Sequence, residues 1–136
     1  MGRPVNITII EDNPADVYLF QEALAFNEID AALTHFPDGA DAVEALEADQ
    51  TGWQPPPDIV FIDLNMPRVS GFDVLKKLRE TPRMAGVHAV IFTSSQAVED
   101  RERANELRAD RFIRKPSDLR GFFSIVDSTV RDLRVH

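Results

Sequence analysis

Cysteine is absent from the 136 residues, which excludes disulfide staples, thiol nucleophiles and cysteine-ligated zinc. Histidine is scarce, with 3 in all, and His35 has no second histidine at ligand spacing, so it reads as structural or exposed. No apolar run reaches the roughly 20 residues that a membrane-spanning helix needs. The start, Met1-Gly2-Arg3-Pro4, leads straight into a strand pattern with no signal-peptide core. Positive charge is in deficit: 15 Lys and Arg face 23 Asp and Glu, for a formal charge of -8. No basic run follows a helical pattern, so neither nucleic acid nor an anionic membrane is expected as a partner. These absences describe a soluble, cytoplasmic protein. The length suits one domain spanning 1–136, without a separate effector.

What is present is a five-fold alternation of apolar strand and amphipathic helix. Val5 to Ile10 reads as a strand ending on Glu11-Asp12, and Asn13-Pro14 supplies a cap and a proline at the first helical position. Val17, Phe20 and Leu24 carry that helix to about Asn27. Ala31 to Phe36 is a second strand, and Pro37-Asp38-Gly39 leads into a helix bearing Val43 and Leu46. Ile59-Val60-Phe61-Ile62 is apolar throughout, as in a strand buried on both faces of a parallel sheet. It ends on Asp63. Ser70 caps a third helix with Phe72, Leu75 and Leu78, which Thr81-Pro82 stops. Val87 to Phe92 delivers Thr93-Ser94-Ser95, and Arg111 to Arg114 delivers Lys115-Pro116. Ser117-Asp118 then caps a last helix in which Leu119, Phe122, Phe123, Val126, Val130 and Leu133 share one stripe. Alternation of this kind predicts a doubly wound parallel α/β sheet with helices on both faces.

Three segments stand out from that frame. The loop Asp49 to Pro57 holds three prolines and reads as a stiff connector, with Trp53 packed on the rim. The fourth helix, about Ala97 to Ala109, has only Val98 and Leu107 as sizeable apolar anchors among alternating charges. It is either a moving part or an ordinary solvated helix. Ile125 falls outside the last helix's stripe, where it is free for a partner or dimer contact.

In a parallel sheet of this type the carboxyl ends of all strands share one edge, so Glu11, Asp12, Asp63, Thr93 and Lys115 can converge. Each has a plain alternative: an acid or hydroxyl at a strand end also caps the next helix, and a strand-end Lys is ordinarily solvated. Clustered carboxylates repel unless a cation neutralises them, and an oxygen-only set selects a hard ion such as Mg²⁺. Asp63 would then be a nucleophile toward a phosphoryl group, with Mg²⁺ and Lys115 neutralising its oxygens and Thr93 donating to it.

Glu11-Asp12, Asp63-Leu-Asn-Met-Pro-Arg-Val-Ser-Gly71, Thr93-Ser94 and Lys115-Pro116, in that order after strands one, three, four and five, resemble the receiver domain of two-component response regulators. The resemblance implies a flavodoxin-like receiver fold with strand order 2-1-3-4-5 and five helices. It implies that Asp63 is the phosphoacceptor and that Asp12, Asp63 and the backbone carbonyl of Asn65 hold Mg²⁺, with Glu11 acting through water. Thr93 matches the switch hydroxyl, Phe112 the aromatic that changes rotamer and Lys115 the lysine on the phosphoryl group. A cis bond between Lys115 and Pro116 is implied as well. Ser94 departs from the Ala or Gly often found there, which bears on phosphoryl access and lifetime.

The stretch Ile10-Glu-Asp-Asn-Pro-Ala-Asp-Val-Tyr-Leu-Phe-Gln-Glu-Ala-Leu24 is similar to single-domain receivers partnered with bacterial phytochrome kinases. It implies a sensor histidine kinase as phosphoryl donor and a homodimer through the face of the fourth helix, fifth strand and fifth helix. The implied role is a phosphoacceptor signalling protein, not an enzyme with turnover, acting as an output, a phosphorelay shuttle or a phosphate sink. A Mg²⁺-dependent phosphohydrolase using an aspartyl phosphate is the enzyme alternative. It wants a second Asp where Asn65 stands. A flavin module of similar topology is disfavoured by the acidic, glycine-free loop Glu11-Asp12-Asn13-Pro14.

Overall fold

The computed structural model describes residues 3–48 and 53–135. The expected connector from Asp49 to Pro57 therefore lies partly outside the described residues. Strands β1 (Val5–Ile10), β2 (Ala31–Phe36), β3 (Ile59–Ile62), β4 (His88–Thr93) and β5 (Arg111–Arg114) form one parallel sheet in the order β2-β1-β3-β4-β5. Between and after them run α1 (Pro14–Phe26), α2 (Gly39–Glu47), α3 (Gly71–Glu80), α4 (Val98–Glu106) and α5 (Leu119–Val135), with a short 3-10 turn at Pro82–Met84.

The unbroken apolar run of β3 is explained by its two faces. Ile59 and Phe61 point into a core shared with Phe20, Ala23 and Leu24 of α1 and Phe122, Val126 and Val130 of α5. Val60 and Ile62 point the other way, onto Ala42 and Leu46 of α2 and Leu75 and Leu78 of α3. Neither set meets solvent. On the first face the rings of Phe20, Phe61, Phe92 and Phe122 meet edge to face, with successive centroids 4.7, 5.8 and 5.3 Å apart. Each such pair contributes about 0.5–1.5 kcal/mol beyond its area.

Helix starts follow the chemistry of their caps. Asn13 Oδ1 accepts from the Ala15 amide at 3.0 Å, and Asp38 accepts from the Asp41 amide at 2.8 Å. Ser70 and Asp73 form a reciprocal capping box at the head of α3. At α5, Asp118 accepts from the Gly121 amide at 2.9 Å. Arg79 of α3 ties three elements together, donating to the carbonyls of Arg108 and Val87 and to Asp110 Oδ2 at 2.8–3.0 Å.

Several expectations are corrected here. Trp53 is not a rim residue: it is fully buried, stacks on Phe36 and donates its indole N–H to the Ala42 carbonyl at 3.0 Å. That partner is what makes indole burial affordable. α4 is shorter than expected, and Val98 is 63% exposed, so the helix is anchored by Ala104 and by partly buried Leu107. Leu119 is 56% exposed because it opens α5, before the stripe reaches the sheet. Ile125, expected at the surface, is half-buried against the α1–α5 core. The Lys115–Pro116 bond is trans, and the cis bond among the described residues is Gln54–Pro55. Either isomer is open to a bond preceding proline, whose trans preference is only about 0.5–1 kcal/mol.

Candidate functional site

Backbone hydrogen bonds extend the sheet past the strand ends and fix the site. Asp63 N donates to the Ile10 carbonyl at 3.0 Å, Glu11 N to the Phe36 carbonyl at 3.1 Å and Lys115 N to the Thr93 carbonyl at 2.7 Å. Residues from β1, β3, β4 and β5 are thereby held along one edge. Behind Asp63 the head of α3 approaches so closely that a Cβ on Gly71 would collide with the Asp63 carbonyl oxygen. Only glycine lets the loop from Leu64 to Ser70 close here, with Gly71 N donating to the Leu64 carbonyl at 3.2 Å.

The side chains converge as the strand ends predict. Carboxylate oxygens of Glu11, Asp12 and Asp63 lie within 4.8 Å of one another. Glu11 and Asp63 are buried, at 3% and 6% exposure, whereas Asp12 is exposed. Lys115 Nζ donates to Glu11 Oε1 at 2.6 Å and stands 3.8 Å from Asp63 Oδ2. Burial pushes the Glu11 carboxyl up to about 7; Lys115 pulls it back and Asp63 adds to the rise. Burial also opposes the charge on Lys115, but its hydrogen bonds to Asp16 and Glu11 and the charges of Glu11 and Asp63 outweigh that, and its pKa is raised.

Asp63 Oδ1 is buried with no hydrogen-bond partner among the described residues. Leaving a buried carboxylate oxygen unsatisfied costs about 1–3 kcal/mol or more, a cost that a bound cation would relieve. The oxygen-only donor set and this orphan atom together fit a divalent metal ion.

Thr93 is fully buried, and its Oγ1 accepts from the Ser95 amide at 3.3 Å. Ser95 Oγ in turn donates to Asp100 in the first turn of α4 at 2.5 Å. Phe112 pairs in register with Ile91 and is half-buried, with the Arg101 guanidinium 4.8 Å above its ring. Asn65 lies in the exposed loop after β3. His35 is structural, its Nε2 2.8 Å from the Glu11 carbonyl oxygen.

Sequence reasoning missed Asp16. Its Oδ2 accepts from Lys115 Nζ at 2.7 Å. An acid in a first helical turn is ordinarily there for the helix dipole, and nothing local marks it as a partner of a residue 99 positions away.

The family model of the response regulator receiver domain matches residues 7–127. The chain belongs to the response regulator receiver family. This receiver is 30% identical over 124 residues to response regulator Rcp1 of Synechocystis sp., covering 90% of this chain and 84% of that protein. Among solved structures it resembles the phosphorylated cyanobacterial phytochrome response regulator RcpA, with 28% identity and a TM-score of 0.82 over 93% of this chain and 91% of that one. It also resembles the Mn²⁺-bound form of Rcp1, with 30% identity and a TM-score of 0.80 over 92% of this chain and 91% of that one. The receiver's acidic cluster stands at the place where such a fold gathers its strand ends, and its oxygens suit a divalent ion.

Proposed function

We propose that this receiver is a two-component response regulator domain that takes a phosphoryl group onto Asp63 from a phosphohistidine of a sensor histidine kinase. The observation that carries the reading is the buried Asp63 carboxylate, with one oxygen unpartnered, beside two further acids and a lysine on the sheet's carboxyl edge. The kinase is of the bacterial phytochrome type. Support comes from the likeness to Rcp1 and to the phytochrome response regulator RcpA, which extends over most of each chain.

The Asp63 carboxylate attacks phosphorus. An O–P bond forms, the P–N bond to the imidazole breaks, and its electron pair stays on the departing nitrogen. Lys115 donates to a phosphoryl oxygen, and the Thr93 hydroxyl turns from Ser95 to donate to another. Asp12, Asp63 and the Asn65 backbone carbonyl would hold a Mg²⁺ ion, with Glu11 acting through water, and the bound ion would supply charge neutralisation at the phosphoryl oxygens. Burial of Asp63 keeps bulk water from the acyl phosphate. The chain catalyses only its own phosphorylation and dephosphorylation, in the cytoplasm. Phe112 and Thr93 carry the change to the α4–β5–α5 face, which binds a partner or a second copy.

The test is intact mass after incubation with a small acyl phosphate, with and without Mg²⁺. One phosphoryl group gained only with Mg²⁺, and not gained by Asp63→Asn, is the expected result. Equal gain by Asp63→Asn would remove the assignment.

A further inference from the structure

The first turn of α1 holds an acid turned away from its helix. Asp16 is the third residue after the cap Asn13, the position from which an acid reaches back to the cap's own amide. In α3 the equivalent residue does so: Asp73 accepts from the Ser70 amide at 3.1 Å. In α1 the Asn13 amide is taken by Glu11 Oε2 at 3.2 Å instead. Asp16 is left to accept from Lys115.

An ammonium group has three N–H donors. Two are committed, to Glu11 at 2.6 Å and Asp16 at 2.7 Å, while Asp63 Oδ2 at 3.8 Å lies outside hydrogen-bond range. We infer that Asp16 is a positioning residue that holds Lys115 aside in the resting protein and releases it when a phosphoryl group arrives at Asp63. The inference rests on the reading of Asp63 as phosphoacceptor. Of the two partners, Asp16 is the releasable one: its side chain is 22% exposed against 3% for Glu11, so it rehydrates at lower cost. A phosphoryl group brings three acceptor oxygens and about -1.5 to -2 of charge, enough to outbid one partly solvated carboxylate. Until then the Asp16 contact favours the unphosphorylated arrangement.

The experiment follows phosphoryl gain by intact mass from acetyl phosphate with Mg²⁺, in the full chain and in Asp16→Asn, Asp16→Ala and Asp16→Glu. The first two should react about twofold to fivefold faster, the scale of one partly exposed ion pair. Asp16→Glu should restore the slow rate. In a Lys115→Ala background Asp16→Asn should change nothing, which a merely structural role would not produce. The Lys115 ammonium resonance in the unphosphorylated protein gives a second readout, and should exchange faster with water in Asp16→Asn. Unchanged or slower phosphorylation of both variants, beside a wild type that gains its phosphoryl group, would overturn this inference alone. A wild type that gains none would take the acceptor assignment down with it.

Discussion

Removing the charge at Asp63 should stabilise the metal-free protein. At a pH well above 7, where Glu11 with its raised pKa of about 7 is ionised, it repels Asp63 across at most 4.8 Å, which at an effective dielectric near 20 amounts to ~3.5 kcal/mol. Lys115 at 3.8 Å returns an attraction of ~4 kcal/mol. These nearly cancel, so the buried, unpartnered Oδ1 decides the balance, at about 1–3 kcal/mol. Asp63→Asn keeps the shape, removes the charge and offers an amide N–H to Glu11. Its melting temperature in chelator should exceed that of the wild type by about 3–12 °C. Saturating Mg²⁺ should close or reverse that gap: a metal at one hundred times its dissociation constant adds ~2.7 kcal/mol to the wild type and nothing to a variant that has lost the ligand. Circular dichroism melts in EDTA and in Mg²⁺ give both numbers. An Asp63→Asn variant less stable than wild type in EDTA would refute the reasoning, because the carboxylate would then be paired in a way the distances do not show.

Three other perturbations test separate parts of the argument. Glu11 has a folded-state pKa raised to about 7 by burial, so its stabilising contribution is complete below pH ~4.5 and is lost as pH rises through about 7. The metal-free protein should lose ~1–2 kcal/mol across that window in urea titrations, and Glu11→Gln should flatten the loss. Arg79→Ala strips three hydrogen bonds that join α3, β4 and the end of α4, and should cost ~2–4 kcal/mol in the same assay. Gly71→Ala drives a methyl into the Asp63 carbonyl, so it should cost ~1–3 kcal/mol and slow phosphoryl uptake by shifting the acceptor; wild-type uptake would show that the loop yields.

Apart from the end of α4, the strand and helix boundaries were legible because they rest on local chemistry. The Asn13-Pro14 start, the Ser70 box and the apolar run before Asp63 each announce themselves within a few residues. Convergence of Glu11, Asp12, Asp63 and Lys115 was legible as well, since one topological rule places every strand end on the same edge. What failed depends on packing at a distance. Trp53 is buried because Phe36 and the Ala42 carbonyl sit beneath it, and neither is near in sequence. Val98 was expected to anchor its helix and Leu119 to share the last helix's stripe, yet each is the first residue of its helix and is exposed. Asp16 was invisible because the helix dipole already explains it.

The site edge and the two core faces divide the work of stability and function. Two groups along the edge are held at some cost: Asp63 with an orphaned oxygen and Glu11 protonated more readily than a free carboxyl. The cores offset this without touching the edge, through the phenylalanine run on one face and Trp53 with Leu46, Leu75 and Leu78 on the other. α4 stands apart. Ala104 is its buried residue, and its first turn is tied to Thr93 through Ser95 and Asp100. A hydroxyl that turns toward a phosphoryl group gives up the Ser95 amide. That change meets the helix least restrained by the core, on the same side as Arg101 and Phe112.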